Sequence, residues 1–129
     1  MKHSTAYLGI GVLLVLAFLA LASCRDTIGD PVIAVDGGDP ERGAEAIDQF
    51  DCTGCHTIPG IDGADGTIGP PLNFWSKRSF IAGNLPNEPD NLIAWIMNPQ
   101  AIEPGTAMPN LDVTEAQARD IAAYLYTLE

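Results

Sequence analysis

The chain has 129 residues, with six basic against seventeen acidic side chains and a net charge of −11 near neutral pH. That length holds one domain plus accessory segments. The acidity makes nucleic acid and anionic lipid head groups poor partners.

Met1-Lys2-His3 is a short basic start, and Ala6 to Ala22 is an apolar run without charge. Such a run is at the short limit for a membrane span and suits a signal peptide. It ends in Leu21-Ala22-Ser23-Cys24, which resembles a bacterial lipobox whose cysteine receives lipid. Two other readings stand beside it: cleavage after Ala20-Leu21-Ala22, which leaves Cys24 free, and an uncleaved N-terminal membrane anchor. Lipidation of Cys24 accounts for the third cysteine, and all three readings put the rest of the chain outside the cytoplasm. Residues 25–38 are rich in Asp and Gly and lack an apolar period, so they read as a flexible tether. A coil of that length spans about 20 Å root-mean-square. The alternative is a short strand, Val32-Ile33-Ala34-Val35, docked on the domain.

The domain itself is read as 39–129. Asp39-Pro40-Glu41 is a helix start, with an N-cap, a first-turn proline and an acid for the dipole. Ala44, Ile47 and Phe50 recur at helical spacing, so the helix is expected to run to about Cys52. Gly60, Gly63, Gly66, Gly69 and Pro59, Pro70, Pro71 make the next segment a loop. Ser76 to Ala82 is a candidate short helix. A further helix is expected from about Pro89 to Met97, ending before Pro99, with Leu92, Ile93 and Ile96 buried. Thr114-Glu115-Ala116-Gln117 is a capping-box pattern, and Ala118, Ile121, Ala122, Leu125 and Leu128 then form one apolar stripe. Neither terminal helix is stable alone in water, so the two are expected to cross near Ala44, Ile47 and Tyr124. The fold class is all-α.

The chemistry sits in Cys52-Thr53-Gly54-Cys55-His56. Cys-x-x-Cys-His is the attachment signature of c-type haem. Two thiols at this spacing can add to the two haem vinyl groups, and His56 then lies under the iron. A zinc site would want two further ligands, and the other cysteine and histidine, Cys24 and His3, are both in the leader. A thioredoxin-like pair would want a βαβ context, which the sequence lacks. A closed iron needs a second side chain, and electron-transfer haem proteins often use methionine. Met108, in Pro104-Gly105-Thr106-Ala107-Met108-Pro109, is the candidate, and Met97 is its helix-borne competitor. Trp95 reads as core against the ring edge with its indole N–H seeking an acceptor. Arg78 reads either as a propionate partner or as a solvated charge.

These residues carry a resemblance. From about Asp39 to Glu129 the chain resembles the class I cytochromes c, in Cys52 to His56, Gly69-Pro70-Pro71-Leu72, Trp95-Ile96 with Pro99-Gln100, Gly105 to Pro109, and Ala123-Tyr124-Leu125. The resemblance implies three to five short helices wrapped around one covalently bound haem c. His56 and Met108 would be the axial iron ligands, with the Pro70 carbonyl accepting from the other nitrogen of His56. Ile81 to Asn87, Asn91-Leu92 and Asn98-Pro99-Gln100 look like the cytochrome c domain fused to subunit II of some haem–copper oxidases. The sequence has no cupredoxin domain, copper-ligand cluster or transmembrane hairpin, so it looks like that electron-entry domain on its own anchor.

The expectation is a membrane-tethered one-electron carrier rather than an enzyme, in a respiratory-type chain of the bacterial periplasm or the outer face of the cytoplasmic membrane. Its donor would be a quinol–cytochrome c reductase or similar, and its acceptor a terminal oxidase. Without Lys2 the mature chain carries −12, which serves either steering toward a basic docking face or plain solubility. The rivals are a permanently docked haem subunit of an oxidase or dehydrogenase, and an open-iron enzyme or gas sensor.

Overall fold

Asp39 starts the first helix as its sequence predicts. Its backbone is extended and its carboxylate accepts from the amides of Glu41 and Arg42, which caps α1, Pro40–Gln49. The computed structural model describes residues 28–129. The leader reading of residues 1–24, with Cys24, and the first three residues of the tether lie outside the described residues.

α1 stops three residues short of the expected Cys52. Asp51 takes the left-handed conformation, φ 53°, a backbone state that aspartate tolerates better than most residues. The chain turns there and enters a separate 3₁₀ turn, Cys52–Gly54. The loop that follows folds back on itself: Ile58 donates to Ala64, and Leu72 to Thr57. This buries Ile58, Ala64 and Leu72. The segment expected as a helix from Ser76 is instead one 3₁₀ turn, Trp75–Lys77, followed by a small antiparallel hairpin. Its strands are β1, Phe80–Ile81, and β2, Leu85–Pro86, with Ile81 opposite Leu85. Arg78 is already extended, and Phe80 and Ile81 favour a pleated pair over another helical turn.

α2, Pro89–Met97, has the expected bounds and buries Leu92, Ile93, Trp95 and Ile96. A four-residue helix, α3, Pro99–Ile102, follows at once, capped by the Asn98 side chain. α4, Glu115–Leu125, opens on a complete Thr114/Gln117 capping box. The fold is therefore all-α apart from the hairpin.

α1 and α4 form the main packed pair, and α2 also packs against α4. The crossing point is Gly43, one residue away from the expected Ala44. A Cβ there would lie 2.0 Å from the Asp120 carbonyl oxygen and 2.9 Å from Tyr124 Cβ, so only glycine lets the backbones meet. Asp120 is buried and satisfied by its neighbours. It accepts from Arg42 Nε and Nη2 at 2.9 and 2.8 Å and from the Asp39 amide at 2.9 Å. Because α4 is covered on several sides, Ala118 and the whole run Asp120 to Leu125 are buried, well beyond the expected stripe.

The end of the segment read as a tether lies along this pair. The Val32 amide donates to the Tyr126 carbonyl, Val35 is buried, and Arg119 Nη1 donates to the Asp36 carbonyl. Val32 to Val35 form no strand; two of their side chains are buried or half-buried and two point outward. Among the described residues no helix is long and apolar enough to cross a membrane.

Candidate haem site

Between the Cys52 turn, the hairpin, α2 and the Met108 loop lies one apolar cleft of about 940 Å³, counted out to its mouth. Ile47, Leu72, Ile81, Leu92, Ile96, Val113, Ile121 and Leu125 supply most of its wall. Of the predicted site residues, Cys52, His56, Pro70, Arg78, Trp95 and Met108 all face it. Cys55 is half-buried beside Cys52 without joining the lining, and Met97 packs on the core away from it.

The 3₁₀ turn explains the placing of the cysteines. The Cys55 amide closes the turn on the Cys52 carbonyl at 3.2 Å, which brings the two residues together although only Cys52 lines the cleft. Both are free thiols. Burial pushes the Cys52 thiol up to about 11, so at neutral pH it is an uncharged, apolar-facing group.

His56 is fixed from two directions. Its amide donates to the Cys52 carbonyl at 2.9 Å, and its Nδ1 lies 2.7 Å from the Pro70 carbonyl. That carbonyl can only accept, so Nδ1 is the donor, and the neutral tautomer with this bond has its lone pair on Nε2, the form that binds a metal. Gly69 lies flat against the ring: a Cβ would come within 2.3 Å of Cε1 and 2.7 Å of Nδ1. Among the described residues no three His, Cys, Asp or Glu side chains group as a metal cage, and a zinc site would need such a set.

Arg78 is half-buried and makes no ion pair among the described residues. Its guanidinium stacks over the Trp75 ring, 5.0 Å from the centroid, and donates to the carbonyls of Pro71 and Asn73. Partial burial lowers its pKa. Trp75 is the residue that the sequence reading missed. It lines the cleft, and its indole N–H is the one buried side-chain polar atom without a partner among the described residues. An unpartnered buried donor costs about 1–3 kcal/mol. A flat, largely apolar ring system with carboxylates at one edge has the required chemistry, and it would meet a lone imidazole nitrogen at His56. The lining fits a haem. The available signal for Trp75 was an aromatic donor three residues before an arginine in a loop.

Residues 40–129 match the sequence model of the family described as Cytochrome c. The chain belongs to the cytochrome c family. Its members are haem-binding electron-transfer proteins, and the all-α arrangement of short helices around one cleft is the class I fold that the motifs imply. The domain is also similar to two oxidase subunits. It is 35% identical over 89 residues to cytochrome c oxidase subunit 2 of Alkalihalophilus pseudofirmus, covering 68% of this chain and 25% of that one. It is 33% identical over 89 residues to cytochrome c oxidase subunit 2 of Bacillus sp. strain PS3, covering 66% and 25%. The chain thus spans about a quarter of the length of the curated relatives it matches.

Proposed function

We propose that this cytochrome c domain carries single electrons through one covalently held haem c, with His56 and Met108 as axial ligands and Cys52 and Cys55 as attachment points. The observation that carries the proposal is the convergence of Cys52, His56 and Met108 on one apolar cleft. The haem would supply an iron that changes charge by one electron without any bond to substrate. The chain's own residues set the conditions. The Pro70 carbonyl fixes and electron-enriches the His56 ring, and a thioether from Met108 favours the reduced state. Ile81, Leu92, Ile96 and Leu125 exclude water, which limits solvent reorganisation. Arg78 would offer a donor to carboxylates of a bound haem, and Trp95, which lines the cleft, would pack against its ring.

The leader and lipobox resemblance support an exported domain tethered at the outer face of a bacterial cytoplasmic membrane through Cys24. Similarity to oxidase subunits supports a place in a respiratory chain, receiving electrons from a quinol–cytochrome c reductase or similar and passing them toward a terminal oxidase. The same similarity favours a second reading, a subunit that stays docked in its oxidase; co-purification at fixed stoichiometry in mild detergent separates it from a shuttle.

The deciding experiment is the absorption spectrum of the ferric protein after expression with haem-maturation machinery. A weak near-infrared band from iron bound to a thioether is expected, and it should vanish in Met108→Ala. Covalent haem without that band would replace the carrier by an open-iron enzyme or gas sensor.

A further inference from the structure

The Met108 loop leaves α3 and reaches the cleft with few ties of its own. The Thr106 amide donates to the Glu103 carbonyl at 3.1 Å. The Met108 amide reaches Thr106 Oγ1 only at 3.4 Å, and Pro109 has no N–H to give. One side chain supplies what is missing. Gln100 Nε2 donates to the Thr106 carbonyl at 2.7 Å and to the Met108 carbonyl at 3.0 Å. A single carboxamide uses both of its hydrogens to pin the two carbonyls that bracket Ala107. Among the described residues no other donor reaches the Met108 carbonyl. The base from which Gln100 works is firm: Pro99 beside it is fully buried, and the Asn98 side chain caps α3 by accepting from the Ala101 amide at 3.2 Å.

We infer that Gln100 is a positioning residue for Met108, its two hydrogen bonds holding the loop closed so that the thioether stays on the iron and external ligands stay out. The inference rests on the reading that Met108 is an iron ligand. Opening the loop requires both bonds to break, so the Met108-off population is suppressed in proportion to their joint strength. A ligand that binds only the open form then sees an affinity reduced by that population.

The test is an imidazole titration of the ferric holoprotein in the parent, Gln100→Glu and Gln100→Ala. Glutamate keeps the size of the side chain, and an acid in the first turn favours the helix. It removes the donating NH2 and turns an oxygen toward two carbonyls. Imidazole affinity is expected to rise about tenfold in both variants, the scale of losing two ordinary hydrogen bonds. The thermal midpoint of Gln100→Glu should stay near that of the parent. If Gln100 only supports α3, Gln100→Glu binds imidazole as the parent does, and the inference is overturned. Gln100→Lys, which restores an N–H donor, should return affinity toward the parent and keeps the test open if Gln100→Glu fails to accumulate; an affinity as high as that of Gln100→Ala counts against the inference. The near-infrared band of the parent is recorded first. Its absence refutes ligation by Met108, whereas its presence with an unshifted imidazole affinity refutes only the role of Gln100.

Discussion

A methyl group at position 43 separates two opposite expectations. In an exposed helix interior, alanine in place of glycine stabilises by about 1 kcal/mol through helix propensity. In α1 the new Cβ would stand 2.0 Å from the Asp120 carbonyl oxygen and 2.7 Å from its carbon, and ordinary contact begins at 3.4 Å. The helices must part by the difference, 1.4 Å, at their closest point. A backbone carbonyl cannot rotate out of the way as a side chain can. The cost therefore falls at the upper end of overpacking, about 3 kcal/mol, which leaves a net loss of about 2 kcal/mol after the propensity gain. For a domain of this size that lowers the thermal midpoint by roughly 8–16 °C. The Asp120 contacts to Arg42 and Asp39 stretch with it, as does the position of Ile47 in the cleft wall. Thermal unfolding of the holoprotein followed by far-ultraviolet circular dichroism measures the shift. A Gly43→Ala protein as stable as the parent, or more so, refutes the close-approach argument.

Two further expectations follow from the cleft and the core. Tyr126 is fully buried with its hydroxyl donating to Asn87 Oδ1, and burial pushes its pKa up to about 12. The folded state thus holds this proton more tightly than the unfolded chain, whose tyrosines titrate near 10. Stability is complete below about pH 10 and falls as pH rises toward 12. Urea midpoints between pH 9 and 12 should show that fall shrink in Tyr126→Phe, and an equal slope in both proteins would remove Tyr126 as its source. Gly69→Ala drives a methyl into the His56 ring and breaks the Nδ1 bond to Pro70. The less electron-rich imidazole favours ferrous iron, so the midpoint potential should rise, by about 59 mV for each tenfold change in the ferric-to-ferrous affinity ratio. Spectroelectrochemistry that finds the parent's potential would refute the ring clash.

Local signals carried most of what the sequence revealed. Asp39, the Thr114/Gln117 box and the stop before Pro99 are decided within a few residues, and each fell where expected. What failed depended on partners distant in the chain. Asp51 ends α1 early because the loop beyond must turn, and no periodicity in the helix records that. Gly43 marks the crossing because Asp120 and Tyr124 lie across from it. Cys52 and His56 could be singled out because their spacing is itself the chemistry, Met108 from its proline- and glycine-framed loop, and Pro70 through the resemblance to the class I cytochromes c; the fold brings all four to one cleft. Trp75 and Gln100 were not legible: an unpaired indole and a two-carbonyl clamp exist only once the fold has brought their neighbours close.

The docking of residues 31–38 also brings the two ends of the described domain together. Val32 lies at hydrogen-bond distance from Tyr126, 3.0 Å, and Leu128 at the same distance from Ser76. Entry and exit are side by side on the surface of a unit that closes its own core. A unit built this way can be spliced behind another domain, or cut away from one, without repacking its interior. A stretch similar to this one makes up 25% of each oxidase subunit that it resembles.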